Sequence, residues 1–159
     1  MDTHGVPDAI WCSPPCRTFS LACWGKHRDA EGRCTSDAAK EGDQCVRACM
    51  RVIDYCVKRC PRVVWFIENP FTGAFRKLGC VQPYLSRGQF RVVNYGDYSD
   101  RHSLKPTIIL TNCTAWRPRP RLLKKSTRHY NRLSKKQRTI LPDALCHEIA
   151  ESIVRQLVA

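Results

Sequence analysis

The sequence has no apolar run long enough to cross a bilayer. Its longest, Val63-Val64-Trp65-Phe66-Ile67, falls far short of the roughly 20 residues a spanning helix needs. Met1-Asp2-Thr3-His4-Gly5 lacks the basic stretch and apolar run of a secretory signal. The expectation is therefore an intracellular, reducing compartment, in the nucleus or in a cell infected by a virus or phage, where thiols stay free. Cys-x-x-Cys spacing is also missing, and 11 cysteines, an odd number, cannot all pair internally. What is present is ordinary for a globular domain: 159 residues, 43% hydrophobic and 26% charged. Those proportions exclude wholesale disorder, and the length suffices for one buried core.

Acids are absent from one whole stretch. Between residues 117 and 138 lie Arg117, Arg119, Arg121, Lys124, Lys125, Arg128, Arg132, Lys135, Lys136 and Arg138, with no Asp or Glu among them. They carry most of the formal charge of +13. Pro118 and Pro120 deny regular structure to the start of this stretch, which reads as a nucleic-acid-binding arm or loop with a short helix around 130–136. A polyanion is the partner such a charge implies: DNA first, with RNA not distinguished, ahead of an acidic membrane surface because no basic amphipathic helix is evident.

Elsewhere apolar runs alternate with helical patterns, which predicts an α/β fold with a mostly parallel sheet. Strands are expected at 8–12, 62–68, 90–95 and 107–111, and a helix at about 38–59. On that helix Cys45, Cys49, Val52, Ile53, Cys56 and Cys60 fall on one side, taken as the core-facing stripe. A closing amphipathic helix is expected at 142–157, with Leu145, Ile149, Ile153 and Leu157 at i, i+4 spacing after Pro142. The stretch 25–42 reads as a mobile loop. Three parts result: a core at 1–116, the basic arm at 117–138, and at 139–159 a helix packing back on the core.

Cys45 and Cys60 would stand about 22 Å apart on a helix, so no single ion can collect the four cysteines of that face. With no Cys-x-x-Cys element or His pair to complete a site, no metal is expected, and packing as small buried hydrophobes is the favoured role. Cys16 is the exception. It follows an apolar strand and a Pro-Pro turn, in Trp11-Cys12-Ser13-Pro14-Pro15-Cys16-Arg17-Thr18-Phe19-Ser20. In open α/β sheets ligands bind outside the carboxyl ends of strands, so this thiol is a candidate nucleophile. Its thiolate fraction depends on neighbouring cations, of which Arg17 is adjacent in sequence. Ile67-Glu68-Asn69-Pro70 ends the second apolar strand in the same way. If the two strands are parallel neighbours, Glu68 and Cys16 leave the same sheet edge, where an acid and a thiolate can address one ring.

With these residues in view, the chain resembles the cytosine-C5 DNA methyltransferases, in the branch with many phage, viral and protist sequences. Pro15-Cys16-x-x-Phe19-Ser20 is similar to that family's catalytic loop, and Glu68-Asn69 to its Glu-Asn motif. Trp65-Phe66-Ile67-Glu68-Asn69-Pro70-Phe71-Thr72-Gly73, Tyr95-Gly96-Asp97, Lys105-Pro106-Thr107, Thr111-Asn112 and Leu141-Pro142 with Leu145 resemble its later signposts, in order. The resemblance implies a partial Rossmann-like methyltransferase domain acting on a flipped-out cytosine. The thiolate of Cys16 would add to C6, Glu68 would assist at N3 and the exocyclic amine, and S-adenosylmethionine would supply a methyl group to C5. It further implies that Asn69 holds the motif's turn, that Arg17 stands in the substrate loop with Pro15, Phe19 and Ser20, and that Arg101 lies near the family's active-site arginine, although Ser99 stands where a glutamine is usual.

Two departures accompany the likeness. None of the eight glycines forms a Gly-x-Gly pair, and only residues 1–10 precede the Pro-Cys strand and loop, too few for the cofactor-binding half. The strand that would pair with 8–12 is therefore missing, and an open sheet edge there predicts association with a separate cofactor-binding half, a second copy or a larger assembly. On these grounds the chain is expected to be incomplete alone. A non-catalytic nucleic-acid-binding or structural subunit on the same fold is the alternative. An amino-methyltransferase ranks lower, because Cys16 stands where such enzymes place an aromatic ring.

Overall fold

A computed structural model describes residues 5–99, 105–120 and 140–159. The central strand is β2, Val64–Pro70, every residue of which is buried. Its alternate side chains enter two separate cores. Trp65 and Ile67 join Phe19, Val46, Met50 and Ile53 on one face, while Val64 and Phe66 join Tyr95, Trp116, Leu145 and Ile149 on the other. A strand covered on both sides reads as a continuous apolar run rather than an alternating one. Each large apolar side chain buried here stabilises the fold by about 1.5–3 kcal/mol.

Beside β2 runs β1, Ala9–Cys12, in parallel register with Cys12 opposite Ile67. The connection between them is α1, Asp37–Arg59, a crossover of the kind parallel pairing requires. Ser36 caps α1 by accepting from the Ala39 backbone. After α2, Gln82–Ser86, the chain forms β3, Phe90–Asn94, and β4, Pro106–Thr111. The strand order is β1-β2-β4-β3, with β4 antiparallel to both neighbours. The closing helix α3, Asp143–Val158, covers the second core.

The sheet is thus mostly antiparallel in its pairing, with one parallel pair, and corrects the expectation of a mostly parallel sheet. The reason lies in the connections. Residues 95–105 are too few to carry a crossover helix between β3 and β4, so β4 reverses. Three strands, β1, β2 and β3, nevertheless point the same way, and their carboxyl ends share an edge with the start of β4.

Three further expectations are corrected. The core-facing residues of α1 are Ala39, Gly42, Asp43, Val46, Met50, Ile53 and Cys56, whereas Val52 is 52% exposed. The cysteines are for the most part half-buried, with only Cys56 and Cys113 buried and Cys146 exposed; all 11 are free thiols. The segment before α1, read as a mobile loop, is fastened from within. Arg28, 1% exposed, donates to the Thr18 carbonyl at 2.7 Å and the Gly32 carbonyl at 3.0 Å, and pairs with Asp43 on α1 at 2.5 Å.

Among the described residues β1 is one edge of the sheet and β3 the other. Trp11 stacks on Phe66 at 5.8 Å yet remains 38% exposed. No helix among the described residues is long and apolar enough to cross a membrane.

Candidate active site

The loop after β1 is built by proline and one repeatedly used carbonyl. Pro14 and Pro15 offer no backbone N–H and hold φ near −65°. The Cys16 carbonyl then accepts from the Phe19 and Ser20 amides at 3.1 and 3.4 Å, closing a tight turn. Ser20 caps the following 3-10 turn, Leu21–Cys23. Phe19 anchors the loop: its fully buried ring meets Phe75 edge-on at 6.0 Å and carries the Arg28 guanidinium 4.6 Å from its centroid.

Two contacts tie this loop to the one after β2. The Ala74 amide donates to the Phe19 carbonyl at 3.0 Å, and Ser20 bridges to Gly73, which has φ of +130°. Asn69, fully buried, donates from Nδ2 to the Pro14 carbonyl at 3.1 Å. The parallel register of β1 and β2 delivers both loops to one end of the sheet, so the Cys16 turn lies at the end of β2 that carries Glu68.

Glu68 is 7% exposed, and its Oε1 accepts the Tyr95 hydroxyl at 2.8 Å. The same oxygen lies 3.6 Å from Lys105 Nζ, which also sits 4.8 Å from the centre of the Tyr95 ring. Burial pushes the Tyr95 phenol well above its ordinary range, with the Glu68 charge adding to the effect. Tyr95 is therefore a proton-bearing donor that holds Glu68 in place.

Burial also pushes the Cys16 thiol up; the Lys105 charge opposes that rise and the Glu68 charge adds to it. The thiol thus lies within the electrostatic reach of both groups. Among the described residues the cation acting on Cys16 is Lys105, just before β4, and not Arg17, whose side chain is exposed. Proximity in sequence pointed to a different cation, because the Pro-Cys turn carries Arg17 out to solvent.

Tyr95 and Lys105 are the residues in contact with Glu68 that reading the sequence left without roles, although both stand inside quoted motifs. Tyr95 follows directly on β3 and Lys105 directly precedes β4, so their convergence depends on β4 inserting between β2 and β3. Arg101 lies outside the described residues, as do Arg121, Lys124, Lys125, Arg128, Arg132, Lys135, Lys136 and Arg138. Of the basic stretch, Arg117 donates to the Thr114 carbonyl at 2.8 Å, and Arg119 pairs with Glu148 of α3 at 3.3 Å. No group of three or more His, Cys, Asp or Glu side chains among the described residues is arranged to hold a metal ion.

Compared with known proteins, the chain matches no family model, no curated protein and no solved structure.

Proposed function

We propose that this chain is the catalytic-loop portion of a cytosine-C5 DNA methyltransferase, in a partial Rossmann-like domain whose reaction begins with addition of the Cys16 thiolate to C6 of cytosine. The observation that carries the reading is the meeting at one sheet edge of Cys16 and Glu68, with Asn69 bridging their loops and Lys105 and Tyr95 flanking the acid. Three co-directional strands ending at that edge, with α1 and α3 on opposite faces, support the domain type.

In the proposed chemistry Sγ bonds to C6, the ring electrons move toward N3, and N3 takes a proton from Glu68. C5 becomes an enamine carbon and accepts a solvent proton. Loss of the original C5 hydrogen to solvent restores the enamine, and expulsion of Sγ, with N3 returning its proton to Glu68, restores cytosine with an exchanged hydrogen. Tyr95 engages Glu68 Oε1, which orients the acid so that its other oxygen can serve the ring.

S-adenosylmethionine does not fit the residues described. The edge of β1 faces no neighbouring strand and no Gly-x-Gly turn adjoins it. The chemistry assigned to this chain alone therefore stops at addition and exchange, and a cofactor-holding partner would dock along residues 8–12. DNA would be held through phosphates by the basic stretch. The raised thiol favours, as a second reading, a binding subunit that retains the fold without the reaction.

Exchange of the cytosine C5 hydrogen with solvent, measured on DNA without any methyl donor, separates the two readings. The expected result is slow exchange at neutral pH. Because the thiol is raised and the thiolate is the nucleophile, the rate should climb about tenfold per pH unit through the alkaline range. Lys105→Met should slow exchange several-fold at pH 8 by removing the cation that stabilises the thiolate. Bound DNA with no exchange at any pH would leave the binding subunit.

A further inference from the structure

A pocket of about 340 Å³ opens beside the start of β4, between Phe71 and Thr72 after β2, Asn94 at the end of β3, Asp97 after it, Pro106 and Arg119. Its size is at the lower end of ordinary ligand sites. Two of its polar residues are more than nine-tenths buried: Asn94 at 5% exposure and Asp97 at 8%. The Oδ1 atom of Asn94 is buried without a hydrogen-bond partner. Asp97 makes no hydrogen bond or ion pair with any described residue, and its neighbour in the pocket, Arg119, is engaged by Glu148. A buried acceptor left unpaired costs about 1–3 kcal/mol, as Asn94 Oδ1 is here, and the unpaired Asp97 carboxylate stands beside it in the same cavity.

We infer that this pocket receives a guanine base of a bound nucleic acid, with Asp97 reading its Watson–Crick edge. The site presents acceptors, so the ligand must present donors. Guanine alone among the bases offers two adjacent donors, N1–H and the N2 amine, that a carboxylate takes as a pair. Adenine and cytosine place a ring acceptor beside their amine, which would face the carboxylate unfavourably, and thymine and uracil flank one N–H with two carbonyls. Asn94 Oδ1 adds a further acceptor, while Phe71, Val92 and Pro106 supply apolar wall. Arg119 at the rim favours a phosphate-bearing ligand over a guanidinium from a peptide, since it repels the latter. The inference rests on the reading that the chain meets nucleic acid and is independent of the Cys16 chemistry.

The test is titration of the full chain with guanosine and inosine 5′-monophosphates, which differ only in the 2-amino group. The guanine nucleotide should bind at least about tenfold more tightly. Asp97→Asn, close to isosteric, should erase that ratio. Equal affinities for the two nucleotides, binding of neither, a ratio that survives Asp97→Asn, or stronger binding of N-acetylarginine amide than of either nucleotide would each overturn the inference. The nucleotide comparison uses the unsubstituted chain, so it does not depend on how the variant folds. A guanine preference without C5 exchange would remove the proposed reaction and keep this pocket; exchange without the preference would do the reverse.

Discussion

Gly73→Ala should destabilise the protein by about 3 kcal/mol or more and abolish C5 exchange. Gly73 has φ of +130°, a conformation that L side chains rarely adopt, and a Cβ built there would lie 1.9 Å from the Phe19 carbonyl oxygen. That oxygen is already the acceptor for the Ala74 amide. Relief therefore requires separating the Pro-Cys loop from the loop after β2, which breaks the hydrogen bond and withdraws Phe19 from its contact with Phe75. Strain of this kind costs about 1–3 kcal/mol per residue, and lost packing of the Phe19 anchor adds to it. Urea unfolding of both proteins measures the difference. A variant of unchanged stability would mean that the two loops are not clamped at Gly73.

Arg28→Ala should be as severe, at about 3–5 kcal/mol, because it leaves Asp43 buried without its cation. The side chains of the pair are 1% and 11% exposed, and Arg28 also donates to the Thr18 and Gly32 carbonyls and covers the Phe19 ring. Replacing both partners with apolar residues, Arg28→Met with Asp43→Leu, should recover part of the loss, since the unpaired charge is then gone. Recovery of nothing would assign the cost to the two carbonyl bonds and the ring contact. Chemical denaturation of the single and double variants decides between these outcomes.

Much of this architecture was legible in the residues. Continuous apolar runs marked β1, β2 and β4 within two residues of their bounds, and the i, i+4 leucines and isoleucines marked α3. The Pro-Pro turn and the Glu-Asn pair located Cys16 and Glu68 at strand ends, and their common edge followed once β1 and β2 were paired in parallel. Asn69 donates to the Pro14 carbonyl of the Pro-Pro turn.

The pairing of β4 was not legible, because strand direction depends on connection length and on which neighbour buries which face. The roles of Lys105 and Tyr95 depend on that pairing and were hidden with it. Arg28 was hidden for another reason. An arginine in a Gly- and charge-rich segment looks solvated, and only the approach of Asp43 from the first turns of α1 turns it inward.

The central claim is that the Cys16 thiol attacks the ring of a cytosine-like base, and its most direct test is covalent capture. DNA carrying 2-pyrimidinone in place of cytosine lacks the 4-amino group, so less electron density is fed into the ring and C6 is more open to a thiol. Intact-mass analysis should show a complex of one chain and one oligonucleotide, increasing from pH 7 to pH 9, with the modified peptide bearing the base on Cys16 and no complex in Cys16→Ala. Persistent DNA binding with no adduct across that range, or an adduct that survives Cys16→Ala, would contradict it.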